Sequence, residues 1–301
     1  MTVANLSGFQ ECFADVGGGR LRYFVAGEGE PLLLLHGLGG GAANWVELAA
    51  ALAEKRRVLV PDLPGHGGSA PLAGQPSMDD FAECAGRVAE YEGMVPAAVV
   101  GHSFGALMAL RLALLRPDQV TSVVLAALPG ISSAGRLRQV MLVVVGLIRP
   151  GRVATRFRSR IARTSLLRYP TFGYWLVADP AALSQAAVEG FLAPQALHTD
   201  TWSASRALAV ADPRTELERV RCPALVLWGA SDTLVPVEDG IEFARRLRAP
   251  LRTIPDCGHL LIGERPDACL DAIRDFLDGY ATAAPSKGAS AAALPSGGER
   301  N

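Results

Sequence analysis

The sequence predicts an α/β fold with a mostly parallel sheet, and two observations support this fold class. Short apolar runs rich in valine and leucine recur along the chain without polar alternation, which is typical of strands buried on both faces. Helix-like segments separate these runs, and strands that alternate with helices build a parallel sheet covered by helices. The chain has 301 residues, 50% of them hydrophobic, which is enough for one large domain that carries an insertion.

The predicted elements follow one another in a regular order. The first two strands flank the glycine run at 17–19 and form a hairpin. The predicted strands are 9–16, 20–26, 31–36, 58–63, 95–101, 120–128, 224–228 and 251–255. The predicted helices between and after them are 42–54, 77–92, 105–116, 238–248 and 265–277. Residues 1–129 and 209–280 are therefore interpreted as the two parts of one core.

The stretch from 130 to 208 interrupts this alternation, because it contains helix-like segments and no convincing strand. It predicts a helical cap lying over the end of the sheet. Residues 131–178 contain nine arginines and no acidic residue. These arginines are at positions 136, 138, 149, 152, 156, 158, 160, 163 and 168. Residues 281–301 are mainly alanine, serine, glycine and proline, a composition that predicts a disordered tail.

Charge and cysteine usage exclude several classes of protein. The net charge of −1 gives no bias toward nucleic acid. Five scattered cysteines, at positions 12, 84, 222, 257 and 269, show no metal-ligand spacing and predict reduced thiols in a cytoplasmic protein. The N-terminal residues do not resemble a secretory signal. The longest apolar run, 140–148, is far shorter than the roughly 20 residues of a membrane-spanning helix.

The strongest chemical signal is the pentapeptide Gly101-His102-Ser103-Phe104-Gly105. It matches G-x-S-x-G, with an apolar strand before it and a helix after it. In so sharp a strand-to-helix turn the serine adopts a strained backbone conformation, its neighbours must be small, and its hydroxyl is lifted out of the sheet. We therefore predict that Ser103 is a nucleophile; the alternative is an ordinary turn serine that caps a helix.

A serine hydroxyl is a weak nucleophile unless a base accepts its proton. Two histidines follow Ser103 in the chain, His198 in the predicted cap and His259 directly after the last predicted strand. A loop at a strand end reaches the same sheet edge as the serine, whereas a cap helix is a poorer anchor for a base. His259 is therefore the predicted base.

The predicted acid is Asp232, which lies just past an apolar strand in the stretch LVLWGASDTLVP. Asp256 is only three residues before His259, so its side chain has difficulty reaching behind the imidazole. The end of the strand after the serine helix, residues 127–130, offers no carboxylate. A buried acid at 232 fixes the imidazole tautomer and stabilises the imidazolium that forms.

The stretch LLLLHGLGGG predicts donors for the negative charge that develops on a substrate oxygen. Its glycines let the backbone come close, so that the amide of Leu38 joins that of Phe104 in an oxyanion hole. Because this triad and these amides are sufficient for acyl transfer, we expect no metal ion and no organic cofactor.

Taken together, five stretches resemble the α/β-hydrolase family in the correct order: HGLGG, DLPGHGGS, GHSFG, WGASDTLVP and CGHLLIGERP. The resemblance extends from about residue 21 to 278 and is looser in the middle. It implies Ser103 as nucleophile, Asp232 as acid, His259 as base, and Leu38 and Phe104 as oxyanion donors. It also implies structural turn roles for Asp62 and His66. The strand-to-helix turn at Ser103 is called the elbow below. A serine at this elbow argues against relatives that use aspartate there, the haloalkane dehalogenases and epoxide hydrolases.

The substrate is expected to be a small molecule with an apolar acyl or alcohol part, because the predicted cap contributes the apolar run 141–148 and several aromatic residues. The residues expected to contact substrate are Gly37, Trp45, His102, Phe157 and Trp175. The uncompensated arginines are expected to attract an anionic substrate group, an acidic carrier protein or an anionic membrane face, with one or two of them at the pocket entrance.

Three functions remain open at the level of sequence. The first is hydrolysis of a carboxylic ester, thioester or lactone through a covalent acyl-enzyme. The second is hydrolysis of a carbon–carbon bond in ring-cleavage products, since relatives of that type share the stretch HGxGxG followed by Asn-Trp, here Asn44-Trp45. Their elbow usually carries asparagine before the serine, where this chain has His102. The third is a ligand-binding signalling protein that retains the triad but turns over slowly.

Overall fold

A computed structural model of the protein describes residues 5–131 and 154–281. The strands are β1 (Gln10–Val16), β2 (Gly19–Ala26), β3 (Glu30–Leu35), β4 (Arg56–Pro61), β5 (Ala97–His102), β6 (Val120–Ala126), β7 (Ala224–Gly229) and β8 (Leu251–Ile254). They form one sheet in the order β1-β2-β4-β3-β5-β6-β7-β8. The β1–β2 hairpin and the β2–β4 pair are antiparallel, and every other pair is parallel. The predicted fold class is confirmed.

The α-helices in the described residues are α1 (Ala49–Ala53), α2 (Met78–Tyr91), α3 (Phe104–Leu115), α4 (Arg158–Arg163), α5 (Ser165–Leu176), α6 (Gln185–Leu192), α7 (Trp202–Val210), α8 (Val237–Leu247), α9 (Leu261–Glu264) and α10 (Pro266–Ala281). Short 3₁₀ helices occupy Ala42–Trp45, Thr155–Phe157, Pro180–Ala182, Ala193–Ala196, Pro213–Thr215 and Leu217–Arg219. Helices therefore follow the strands as the sequence predicts.

The core consists of two apolar layers, one on each face of the sheet. Along β3, Leu32 and Leu34 belong to one layer, whereas Leu33 and Leu35 belong to the other, because successive side chains of a strand point to opposite faces. Helices α2 and α3 contribute to the second layer, and α1 and α10 to the first. A strand buried on both faces needs an unbroken apolar run, which explains why these strands are recognisable in the sequence.

The predicted helix 42–54 is divided in the structure. It consists of the 3₁₀ turn Ala42–Trp45 and the short helix α1. The Asn44 side chain accepts a hydrogen bond from the amide of Gly41 at 3.3 Å and donates to the carbonyl of Gly190 at 3.0 Å. These contacts fix the chain in a tight turn directly after the glycine-rich loop, a tertiary effect that helical periodicity does not reveal.

Between β6 and β7 the described residues contain helices and 3₁₀ turns and no strand. Arg168 on α5 is buried, and its guanidinium donates to the carbonyls of Ala162, Ala181 and Leu183. This arginine therefore holds the helical segment together and is not available at a pocket entrance. The apolar run 141–148, the arginines at 136, 138, 149 and 152, and tail residues 282–301 lie outside the described residues. No helix in the described ranges has both the length and the hydropathy needed to cross a membrane.

The parallel strands bring the predicted site residues to one edge of the sheet. His36 follows β3, Ser103 follows β5, Asp232 lies three residues past β7, and His259 lies five residues past β8. In open α/β sheets the carboxyl ends of parallel strands form the crevice that binds ligands. The candidate site lies at this edge.

Candidate active site

Ser103 occupies a strained turn between β5 and α3. Its backbone has φ 53° and ψ −115°, a conformation that residues with a side chain rarely adopt. A Cβ at Gly101 would lie 2.2 Å from the carbonyl oxygen of Gly105, and a Cβ at Gly105 would lie 2.2 Å from that of Leu35. Both flanking positions therefore require glycine, and the turn sets the serine at the amino end of α3, where the helix dipole favours negative charge.

His259 lies between Ser103 and Asp232. Its Nε2 is 3.0 Å from Ser103 Oγ, and its Nδ1 is 2.8 Å from Asp232 Oδ2. A carboxylate only accepts hydrogen bonds, so Nδ1 carries the proton and Nε2 presents its lone pair to the serine hydroxyl. The three residues predicted as nucleophile, base and acid are thus in hydrogen-bond contact, in an arrangement that can move a proton from Oγ to Nε2.

Asp232 is buried and held by its own turn. Its Oδ1 accepts hydrogen bonds from the amides of Leu234 at 2.9 Å and Val235 at 2.8 Å, which leaves Oδ2 for the imidazole. The hydrogen bonds from these two amides offset the free-energy cost of burying the carboxylate, and they fix its orientation. Asp256, the alternative considered from the sequence, is exposed.

The glycine-rich loop after β3 lies beside the serine. A Cβ at Gly37 would be 3.5 Å from Ser103 Cβ and 3.2 Å from His102 Nδ1, so the loop backbone passes directly over the elbow. Across residues 5–131 and 154–281, the amides of Leu38 and Phe104 donate no hydrogen bond. Phe104 adjoins Ser103 in the chain and Leu38 follows Gly37 in the loop, so these two amides are candidate donors for a substrate oxyanion.

His198 has a different role from the base considered in the sequence. Its Nδ1 accepts from the amide of Gly67 at 2.9 Å, and its Nε2 donates to the carbonyl of Gly39 at 2.9 Å. It therefore connects the glycine-rich loop to the turn after β4. The isolated histidine in PQALHTD gave no sequence signal for this contact, since its partners are more than 130 residues away.

Glu264 is a residue that sequence reasoning missed. Its buried carboxylate accepts from the amide of Gly258, at 3.1 Å through one oxygen and 3.0 Å through the other, and from the amide of Ala178 at 2.8 Å. Burial raises the pKa of this carboxyl group. The only sequence signal was its place five residues after His259 in the stretch CGHLLIGERP.

His102 is buried beside the base and stays neutral. Its Nε2 donates to the carbonyl oxygen of His259 at 2.8 Å, so Nδ1 carries a lone pair, which has no partner within the described part of the chain. Burial lowers the pKa of His102 to about 3. His102 and Gly37 are both buried beside Ser103, and their contact with substrate stays a prediction.

The other residues expected to contact substrate have different environments. Trp45 is completely buried in an apolar layer of the core, which makes it a packing residue of the loop. Phe157 and Trp175 are exposed on the helical segment. Asp62 and His66 are buried turn residues: Asp62 accepts from the amides of Ala42 and Gly68 and from Arg22.

No group of three or more histidine, cysteine, aspartate or glutamate side chains within the described ranges is arranged to hold a metal ion. A surface cavity of about 390 Å³ opens at the far end of α3, beside Ala113, Pro117 and Arg221. It is about ten residues along the helix from Ser103 and does not include the triad residues.

An open, mostly parallel sheet with a serine, a histidine and an aspartate joined at its carboxyl edge defines a class of hydrolases. The chain belongs to the α/β-hydrolase fold family, whose model matches residues 30–266. The resemblance inferred from the five sequence motifs is confirmed.

Three similar proteins illustrate the range of this family. The chain is 32% identical over 273 residues to the dihydrolipoyllysine-residue acetyltransferase component of the acetoin cleaving system of Pseudomonas putida, covering 88% of this chain and 68% of that protein. It is 27% identical over 284 residues to 2-hydroxy-6-oxo-6-(2'-aminophenyl)hexa-2,4-dienoic acid hydrolase of Metapseudomonas resinovorans, covering 90% and 92%. A solved structure of a thermophilic esterase from Thermogutta terrifontis has a TM-score of 0.70 at 25% identity, covering 90% and 98%.

Proposed function

We propose that the protein hydrolyses carboxylic esters, or the related thioesters and lactones, through a covalent acyl-enzyme on Ser103. One observation supports this proposal above the others: His259 Nε2 lies 3.0 Å from Ser103 Oγ, while Nδ1 donates to Asp232 at 2.8 Å. A histidine held in this tautomer is the base that a serine nucleophile needs.

In the first half of the reaction, Ser103 Oγ attacks the substrate carbonyl carbon as its proton passes to His259 Nε2. The imidazolium that forms is stabilised by Asp232, which retains its charge. The substrate oxygen becomes an oxyanion and accepts hydrogen bonds from the amides of Leu38 and Phe104, each worth about 10²–10³ in rate. His259 then donates its proton to the leaving group, at the oxygen of an alcohol or the sulfur of a thiol. The acyl group stays on Ser103 as an acyl-serine.

The second half of the reaction repeats these steps with water. His259 accepts a proton from a water molecule, the resulting hydroxide attacks the acyl carbon, and the same two amides stabilise the second oxyanion. Ser103 Oγ then leaves as the alcohol by taking the proton back from His259. The carboxylic acid is released and the resting arrangement is restored.

The proposed substrate is a small molecule with an apolar acyl or alcohol part. Exposed Phe157 and Trp175 on the helical segment 154–208, which we propose acts as a cap over the site, support this choice. The thermophilic esterase with the same fold supports ester hydrolysis as the reaction. All five cysteines are free thiols, which supports the proposal that the protein works in a reducing, cytoplasmic environment.

Carbon–carbon bond hydrolysis is the second candidate. It is favoured by the similarity to the dienoic acid hydrolase across nearly the whole chain. Such a substrate carries a carboxylate, which suits the arginine-rich helical segment. One difference disfavours this candidate: the residue before the serine is His102 here, whereas asparagine is expected in that group.

The experiment that tests the proposal compares two substrate sets on one protein preparation. Initial rates are measured on p-nitrophenyl esters of graded acyl length and on a coloured ring-fission dienoate. We expect ester hydrolysis to exceed dienoate cleavage and to fall on the order of 10⁴–10⁶-fold in Ser103→Ala. The control is Ser205→Ala, since Ser205 is also buried and its hydroxyl donates to the carbonyl of Thr201.

Two results would overturn the ester assignment. Faster cleavage of the dienoate than of any ester would identify the carbon–carbon hydrolase instead. Ester hydrolysis that is unchanged in Ser103→Ala would remove the serine mechanism altogether, and negligible turnover of both substrate sets would favour the slow ligand-binding protein.

A further inference from the structure

Helix α5 ends in a turn that places two aromatic side chains at the surface. Gly173 has φ 59° and ψ 169°, which breaks the helical path and turns the chain. Tyr174 is 64% exposed and Trp175 is 56% exposed directly after this break. Large apolar side chains are costly to leave in water, so a pair of them in one turn indicates a contact surface.

The backbone of this turn is joined to both loops of the candidate active site. Thr233, next to Asp232, directs its hydroxyl at the carbonyls of Tyr174 at 3.2 Å and Trp175 at 3.4 Å. The carbonyl of Leu176 accepts from the amide of His259 at 2.8 Å. The backbone of the exposed aromatic pair is therefore attached to the loops that carry Asp232 and His259.

The preceding helical elements supply positive charge. Arg156, Arg160 and Arg163 are exposed, and none of them pairs with a carboxylate in the part of the chain that the structure describes. Arg163 donates to the carbonyl of Ser159. Residues 131–178 contain no acidic residue at all. By contrast, Arg111 on α3, Arg116 directly after α3 and Arg246 on α8 each form ion pairs.

An aromatic side chain also lies among these arginines. Phe157 is 56% exposed and adjoins Arg156 in the chain, and helix α4 with its arginines packs against α5. Charge alone would suit an acidic protein. The combination of exposed arginines with Phe, Tyr and Trp is instead the composition of surfaces that insert into the headgroup region of a bilayer, where aromatic rings enter the interface and arginines meet anionic headgroups.

We propose that Arg156, Phe157, Arg160, Arg163, Tyr174 and Trp175 form a surface that docks the protein onto an anionic phospholipid bilayer, with the active-site rim facing the lipid. The name lipid-docking surface refers to these six residues. Docking is reversible, because it rests on side chains at an interface and on screened charge attraction. The proposal does not depend on ester hydrolysis, since binding requires no reaction.

The test uses the full chain and sedimentation with two kinds of vesicle. One kind is phosphatidylcholine alone, and the other is phosphatidylcholine mixed with phosphatidylglycerol. We expect binding to the mixed vesicles, weaker binding as salt is raised, and little binding to phosphatidylcholine. Each arginine at the membrane contributes about fivefold, so replacing Arg156, Arg160 and Arg163 together by Gln should weaken partitioning on the order of 100-fold.

A matched variant separates surface location from net charge. Arg87, Arg221 and Arg252 are exposed elsewhere in the fold, and replacing all three by Gln removes the same charge. We expect this control triple to bind vesicles within about threefold of the parent. Equal weakening by both triples would show nonspecific charge attraction and would overturn the proposal. Thermal midpoints are measured for both variants to verify folding.

Tryptophan fluorescence supplies a site-specific measurement. Trp45 and Trp228 are buried, so Trp175 and Trp202 are the tryptophans that solvent or lipid can reach. Mixed vesicles should shift the emission of the parent and of Trp202→Phe to the blue, whereas Trp175→Phe should lose most of the shift. Loss of the shift in Trp202→Phe instead would place the contact elsewhere and contradict the proposal.

Two further measurements complete the test. Ser103→Ala should bind vesicles as the parent does, which keeps this result independent of the proposed reaction. Binding to polyglutamate without binding to mixed vesicles would identify an acidic protein as the partner and overturn the lipid assignment.

Discussion

Both carboxylate oxygens of Glu264 accept a hydrogen bond from the backbone amide of Gly258, at 3.1 and 3.0 Å. Gly258 immediately precedes His259, so this contact fixes the start of the loop that carries the proposed base. The same carboxylate accepts a hydrogen bond from the amide of Ala178, which lies in the turn that follows α5. One buried side chain therefore holds the histidine loop and the helical segment together.

The first prediction concerns Glu264→Gln. Glutamine keeps the size of the side chain but turns one acceptor into a donor, which faces the amides of Gly258 and Ala178. A lost hydrogen bond to a buried charged group costs about 1–3 kcal/mol, and displacement of His259 should lower kcat about tenfold with a smaller change in KM. Steady-state kinetics and thermal unfolding measure both effects.

Glu238→Gln is the control for that variant, because Glu238 is exposed on α8 and loses the same charge. It should leave kcat and the thermal midpoint near those of the parent. A Glu264→Gln protein that unfolds earlier but retains full kcat would show that Glu264 supports the fold without positioning the histidine.

The second prediction concerns Asp232→Asn. The amide oxygen of asparagine can still accept from Leu234 and Val235, but its nitrogen then faces His259 Nδ1. Nδ1 must become an acceptor, which moves the proton to Nε2 and removes the lone pair that Ser103 needs. We expect kcat to fall on the order of 10⁴-fold with the fold intact.

Asp256→Asn is the matched control for Asp232→Asn. Since Asp256 is exposed and close in sequence to His259, it tests the alternative acid directly. A larger loss of activity in Asp256→Asn than in Asp232→Asn would reverse the assignment of the acid.

The third prediction concerns His198→Ala. The imidazole joins the amide of Gly67 to the carbonyl of Gly39, and alanine breaks both contacts. The glycine-rich loop should then lose its fixed position, which lowers kcat about 10- to 100-fold while KM changes less. Thr199→Ala removes a neighbouring side chain whose hydroxyl donates to the carbonyl of Ser69 at 3.3 Å, and it should retain kcat. A change confined to KM in His198→Ala would place the histidine in substrate binding instead.

The fourth prediction concerns stability and pH. Burial lowers the pKa of His36 and of His102 to about 3, whereas an exposed histidine in the unfolded chain titrates near 6.5. Below that pH the unfolded state binds more protons than the folded state. The stabilisation is therefore complete above about pH 6.5 and declines as the pH falls toward about 3.

Thermal midpoints measured from about pH 8 down to about pH 4 should fall steadily on the acid side. In His36→Gln the side-chain oxygen can replace Nε2 as acceptor for the amide of Leu63, so the variant should fold with a shallower dependence on pH. An identical pH dependence in the parent and in His36→Gln would contradict this source of acid sensitivity.

The sequence predicts the structure well where the deciding contacts lie between residues close in the chain, and where a strand is buried on both faces. The strand, the turn at Ser103 and the helix after it are contiguous, and glycines at 101 and 105 are required by contacts within a few residues or with the neighbouring strand. Strands buried on both faces leave unbroken apolar runs. For these reasons the sheet, and the chain order of the proposed triad residues, could be inferred in advance.

Contacts between distant segments could not be inferred in this way. Glu264 reaches Ala178 across 86 positions, and His198 reaches Gly39 across 159, so neither leaves a local pattern. In the sequence Arg168 is one of nine arginines without an acidic neighbour. Its burial depends on the carbonyls of Ala162 in α4 and of Ala181 and Leu183 at one 3₁₀ turn. The tight turn at Asn44 divides a predicted helix for the same kind of reason.

Labelling with a fluorophosphonate measures whether Ser103 is a nucleophile activated by His259. Intact mass and peptide mapping report the stoichiometry and position of the adduct. We expect one adduct per chain on Ser103, slow labelling in His259→Ala, and no labelling in Ser103→Ala. An unlabelled parent protein, or equal labelling of the parent and Ser103→Ala, would contradict it.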